Sequence, residues 1–151
     1  MRKLALSDEI LLKIEKPARY IGNEVNSVMK DADEVDVRFA MCFPDVYEIG
    51  MSHLGIQILY DMFNKREDVW CERVYSPWPD LDAVMREKEI PLFALESQDP
   101  IKDFDFLGYN HPIRDVLYEY SANPGFKPDT PTFQRQGRRI SDRYGRRPLY
   151  L

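Results

Sequence analysis

Apolar and polar positions along the chain change period several times, and each change marks an expected element. Val35, Val37, Phe39, Met41 and Phe43 alternate with their neighbours, while Ala40 and Cys42 make the second half of that run apolar on both faces. The pattern predicts a central strand covered from both sides. Beyond the Pro44–Gly55 loop the period turns helical, and Leu54, Ile58, Leu59, Met62 and Phe63 form one expected buried face. The charged cluster Lys65–Asp68 closes that helix. A second strand is expected over 69–75. Pro79 then suits the first turn of a helix running to about Lys88, with Leu81, Val84 and Met85 inward. Short strands are expected at 92–95 and 104–107.

Strands alternating with helices imply parallel βαβ units, so the expected fold class is α/β, an incomplete Rossmann-like sheet with flanking helices. Residues 1–34 read as an N-terminal helical arm. Ser7 is an N-cap candidate, Asp8 and Glu9 suit the positive end of a helix, and Ile10, Leu11 and Ile14 make a short apolar stripe ended by Lys16–Pro17. Gly22–Asn23 signals a turn, after which Val25, Val28 and Met29 recur at helical spacing. The α/β domain itself is expected over 35–108, and 109–151 reads as an irregular basic tail.

At 151 residues, 44% hydrophobic and 31% charged, the composition is that of one soluble domain. No apolar run is long enough to span a membrane, and the amino terminus lacks a small-residue cleavage site, so a cytoplasmic location is expected. Charge divides unevenly. Residues 1–108 hold 13 Lys/Arg against 22 Asp/Glu, whereas 109–151 hold 8 against 4. The acidic part argues against nucleic-acid binding, and the basic residues Arg135, Arg138, Arg139, Arg143, Arg146 and Arg147 lack interleaved aromatics. Cys42 and Cys71 read as buried small hydrophobes, since Asp45 and Glu48 near Cys42 disfavour a thiolate nucleophile. No GxGxxG, P-loop or local Ser/His/Asp grouping is present. Asp103 and Asp105 read as solvated.

After Gly108 the periods fade, and eight Pro or Gly fall in 43 residues. A reading-frame shift is the expectation here. One codon choice for residues 109–126, read one nucleotide on, encodes TTIQYEMCYTNILQILDL, which has strand-then-helix character. A genuine disordered basic tail is the alternative, and the nucleotide sequence decides between them.

The segments KPARYIGNEVNSVMKD, CFPDVYEIGMSHLGIQILYDMFN, ERVYSPWPDLDAVMRE and PLFALESQDPIKDFDFLGY closely resemble the N-terminal region of a family of bacterial and archaeal radical SAM proteins with a B12-binding domain. The likeness runs over about residues 11–109, and the hidden-frame peptide is similar to that family's next segment. The resemblance implies a cobalamin-binding-like α/β domain that precedes a radical SAM barrel. In such barrels a CxxxCxxC motif holds a [4Fe–4S] cluster that binds S-adenosylmethionine. This chain has no CxxxCxxC, so it is expected to be an accessory piece, inactive alone, whose partner is the missing barrel domain. No membrane partner is expected.

The resemblance also implies a cobalamin pocket. It would be formed by Pro44, Asp45, Tyr47, Gly50, Ser52, His53 and Gly55 after the first strand, and by Glu96, Ser97 and Gln98 after the third. GMSHLG departs from the cobalamin motif DxHxxG at the acid and at the glycine spacing, so His53 also reads as a helix cap. The glycines either admit a ligand to the backbone or merely shape turns. Trp78 is expected in the core or at the barrel interface. A cofactor-free scaffold, or a non-functional gene fragment, stands as the alternative function.

Overall fold

In the computed structural model, which describes residues 6–109 and 134–135, the alternating run becomes the centre of an open sheet. β1 (Val37–Phe43) pairs in parallel with β2 (Val69–Tyr75) on one side and β3 (Phe106–Tyr109) on the other. A two-residue β4 (Gln134–Arg135) lies antiparallel to β3, so the order is β2-β1-β3-β4. α1 (Asp8–Leu11), α2 (Tyr47–Ser52), α3 (Leu54–Asn64) and α4 (Pro79–Glu87) complete the described elements. The three parallel strands and their helices make an incomplete Rossmann-like α/β fold. Among the described residues, no helix is long and apolar enough to cross a membrane.

Two apolar layers cover the sheet. Ala40, Cys42, Val74 and Leu107 face Leu81 and Met85 of α4, together with Ile10 and Ile14 from the arm. Met41, Phe43, Cys71 and Tyr75 face Ile56 and Tyr60 of α3. The connection before α3 and the connection through α4 thus lie on opposite faces, with β1 buried between them, as its two-sided apolar pattern requires.

Three expectations need correction. The inward face of α3 is Ile56 and Tyr60, with Phe63 half-buried, whereas Leu54, Ile58, Leu59 and Met62 are exposed. Tyr60 holds this rotation because its hydroxyl accepts the Val28 N–H at 2.7 Å beneath the helix. Secondly, only 8–11 and a 3-10 turn at 17–19 are helical in the arm. Around Val28 the backbone is bonded to side chains instead: its N–H goes to Tyr60 and its carbonyl accepts from Trp70 Nε1 at 3.0 Å. A helix there would break both.

The third correction concerns 92–95, which forms no strand. These residues lead into a buried turn at the outer edge of β2, bridged from Phe93 to Pro100 and closed by the Ala94 N–H on the Asp99 carbonyl and the Ile101 N–H on the Leu92 carbonyl. The reason lies in the edge itself. The side-chain amide of Asn64 donates to the Cys71 carbonyl and accepts from the Cys71 N–H, both at 2.9 Å. Next along the strand, the Arg73 N–H donates to Glu96 Oε2 at 2.8 Å and the Arg73 carbonyl accepts from the Leu95 N–H at 2.8 Å. Lys30 Nζ donates to the carbonyls of Asn64, Arg66 and Val69, tying the end of α3 to the start of β2. The edge that would template another strand is therefore already occupied.

Asn64→Ala is expected to leave the Cys71 N–H and carbonyl without partners, at a cost of about 1–3 kcal/mol, measured as a lower urea midpoint. Leu54→Ala, on the exposed side of the same region, is expected to change stability by no more than about 0.5 kcal/mol.

Candidate functional site

The carboxyl ends of β1 and β2 are where an open α/β sheet takes its ligands. Pro44 and Asp45 leave β1 there. Asp45 Oδ1 accepts the Val46 N–H at 2.7 Å, and its main-chain carbonyl accepts the Ser76 N–H at 3.0 Å, which joins the two strand ends. Tyr47, Gly50 and Ser52 lie in α2. Tyr47 stands edge-on to Tyr75, ring centroids 5.7 Å apart, and burial pushes its phenol up to about 12. The Ser52 hydroxyl donates to the Glu48 carbonyl one turn back.

The glycines divide. A Cβ on Gly50 would stand 2.1 Å from Tyr75 Cε1, so this glycine exists to admit the tyrosine ring. Gly55, exposed in the first turn of α3, would meet only the His53 ring, at 3.1 Å. His53 caps α3: its Nδ1 accepts the Ile56 N–H at 3.4 Å and its ring lies 5.2 Å from that of Phe43.

Glu96, Ser97 and Gln98 are buried in the turn around the β2 edge. On the α3 face, Glu96 Oε1 accepts from Arg73 Nε at 2.6 Å. Arg73 also bonds Glu24 Oε2 at 2.9 Å and Met51 Sδ at 3.0 Å, and lies 4.6 Å over the Tyr60 ring. On the α4 face, Arg38 pairs with Glu72 at 2.5 Å and with Asp99 at 2.7 Å. Ser97 joins that group, its N–H donating to Glu72 Oε2 at 2.9 Å and its hydroxyl accepting from Arg38 at 3.2 Å. Gln98 adopts a left-handed φ of 58° and donates to the Tyr20 carbonyl at 2.9 Å.

Met51 of α2 and Glu96 of the turn thus both bond Arg73, inside the protein. A cavity of about 20 Å³ lined by Arg19, Tyr20, Tyr75, Leu81, Met85 and Phe93 lies nearby, room for little more than a water molecule. Among the described residues, no group of three or more His, Cys, Asp or Glu is arranged to hold a metal. Burial pushes the Cys42 thiol up to about 12 and raises Cys71 as well, which makes both inert.

The sequence reading missed Arg38, Arg73, Glu24 and Asp99. A signal was present, because Arg38, Glu72 and Arg73 interrupt otherwise apolar strands, and a buried charge demands a partner. Trp78 is partly exposed, with the Arg19 guanidinium 4.7 Å over its ring, and its main-chain N–H donates to the Tyr20 hydroxyl at 2.9 Å.

Burial pushes the Glu96 carboxyl up from 4.5 to about 7, against the pull of Arg73. A folded value above the unfolded one means that the group's stabilising contribution is complete below 4.5 and is lost as pH rises through about 7. Glu96→Gln is expected to remove that fall in unfolding free energy, measured by urea titrations at about pH 5 and about pH 7. Both thiols are expected to react with a chromogenic disulfide reagent only after denaturation.

Comparison with known proteins adds one finding. No curated protein and no solved structure matches the chain. The matched stretch takes in nearly all of α3, β2, α4, the 95–99 turn and β3, and continues past Gly108, while the arm, β1 and α2 lie outside it. Residues 110–119 of the match, and most of the expected tail, lie outside the described residues. Over residues 55–119 the chain matches the family model described as radical SAM proteins, N-terminal, which supports a radical SAM N-terminal region here.

Proposed function

We propose that this chain is an accessory N-terminal region of a radical SAM, iron–sulfur protein: a folded platform beside the catalytic part, with no reacting group of its own. The family match over 55–119 carries the reading. Two features support the non-catalytic part of it. The chain has two cysteines and no CxxxCxxC, so it lacks the thiolate set that holds the cluster in such barrels. Moreover, Glu96 bonds Arg73, Ser97 bonds Arg38, and Gln98 donates to the Tyr20 carbonyl, so these polar groups are engaged inside the protein.

A second reading, a cobalamin-type ligand at the carboxyl end of β1, is favoured by the exposed Ser52 and His53 beside that strand end.

Anaerobic reconstitution with iron, sulfide and S-adenosylmethionine is expected to give neither a cluster absorbance nor 5′-deoxyadenosine, and either product contradicts the non-catalytic reading. Gel filtration after incubation with hydroxocobalamin is expected to return the corrinoid free; co-elution with the chain favours the second reading.

A further inference from the structure

We propose that Met51 is an oxidation site whose sulfoxide this fold is built to hold: a peroxide that oxidises the thioether supplies the acceptor oxygen that Arg73 and Tyr75 lack. Among the described residues, two buried donors have the Met51 sulfur as their acceptor and no other. Arg73 Nη1 donates to it at 3.0 Å and the Tyr75 hydroxyl at 3.3 Å. Gln57 Nε2 makes a longer contact with it at 3.8 Å while bonding the Met51 carbonyl at 3.2 Å. A thioether sulfur is a weak acceptor. A guanidinium and a phenol on residues only 1% and 9% exposed are therefore served by a poor partner.

The sequence sets up this approach. Gly50 lets α2 close on the end of β2, where a Cβ would stand 2.1 Å from the Tyr75 ring. The next residue, Met51, is thereby carried to Arg73 and Tyr75 on that strand. The other side-chain nitrogens of Arg73 face oxygen, with Nε on Glu96 Oε1 at 2.6 Å and Nη2 on Glu24 Oε2 at 2.9 Å. Nη1 alone falls on sulfur. Met51 is half-buried, whereas Met41 and Met85 are 5% and 1% exposed, so it is not sealed from a small oxidant as those two are.

In the reaction a sulfur lone pair attacks one oxygen of hydrogen peroxide as the O–O bond breaks. The hydroxide released takes the proton from the new S–OH group and departs as water. Sulfur gives up two electrons and the peroxide takes them. In a core without donors the resulting S–O oxygen is stranded and disrupts packing. Here two donors already point at the sulfur, so the oxygen gives them a strong partner in place of a weak one. The same donors draw on the sulfur lone pairs, so Met51 reacts later than Met29 and Met62, which are 54% and 51% exposed. Arg73 also holds Glu24 of the arm and Glu96 of the turn, so the oxidised side chain fixes the guanidinium on which both segments rest.

The test treats the full chain with graded hydrogen peroxide, follows each methionine by peptide mass mapping, and reads stability from the urea midpoint. Met29 and Met62 are expected to convert first, with little change in the midpoint. Conversion of Met51 is then expected to raise it by about 0.3 M. Met51→Leu keeps the other methionines and is expected to show no such rise. Met51→Gln places an amide oxygen near the same donors, is expected to be insensitive to peroxide, and serves as the reference if the leucine variant does not fold. A midpoint that falls as Met51 converts overturns the proposal, and so does a rise that the reference variant shares. Met51 remaining reduced in the folded chain after Met29 and Met62 are fully converted overturns it as well.

Discussion

Two buried arginines, one on each face of the sheet, hold the described region together. Arg73 on the α3 face and Arg38 on the α4 face both reach the 95–99 turn, through Glu96 on one side and Asp99 with Ser97 on the other. The turn is thereby stitched around the edge of β2 from above and below. A buried charge is tolerated only when its partners are fixed, so each carboxylate is committed to its arginine, and each arginine to its strand. The Glu96 carboxyl does two jobs at once, facing the Arg73 guanidinium and accepting the strand's own N–H.

That arrangement has a functional consequence. Closing the β2 edge leaves β3 as the side on which the described sheet extends, and β4 pairs there. Glu96, Ser97 and Gln98 are engaged in internal bonds, and of the candidate residues after β1, Ser52, His53 and Gly55 are exposed. On α3 the outward face is apolar, with Leu54, Ile58 and Met62 exposed. Those properties suit the accessory platform proposed above.

Much of the architecture was legible in the sequence, for physical reasons that also explain the misses. β1 showed through because strict alternation with a two-sided apolar half has few other readings, and β2 and α4 because Pro79 and the charged cluster before Val69 punctuate them. The run 92–95 was ambiguous, since four apolar residues suit a strand or a buried turn equally. Only the reach of Glu96 to Arg73, a contact across 23 residues, settles it. α3 carries apolar residues nearly all round, so its period did not say which face turns inward; Tyr60, bonded to Val28, decides that. At the candidate site, the capping role of His53 could be read from its place before a helix. The role of Gly50 could not, because it depends on Tyr75, a residue from another strand.

The central claim is that Arg73 and Glu96 act as a unit that fixes the turn and the strand edge. A double-mutant cycle with Arg73→Met and Glu96→Gln, followed by urea unfolding, tests it most directly. Each single change should cost about 3–5 kcal/mol by stranding a buried partner, and the double variant should cost well under the sum, with a coupling of about 2 kcal/mol or more. Costs that simply add would contradict the account.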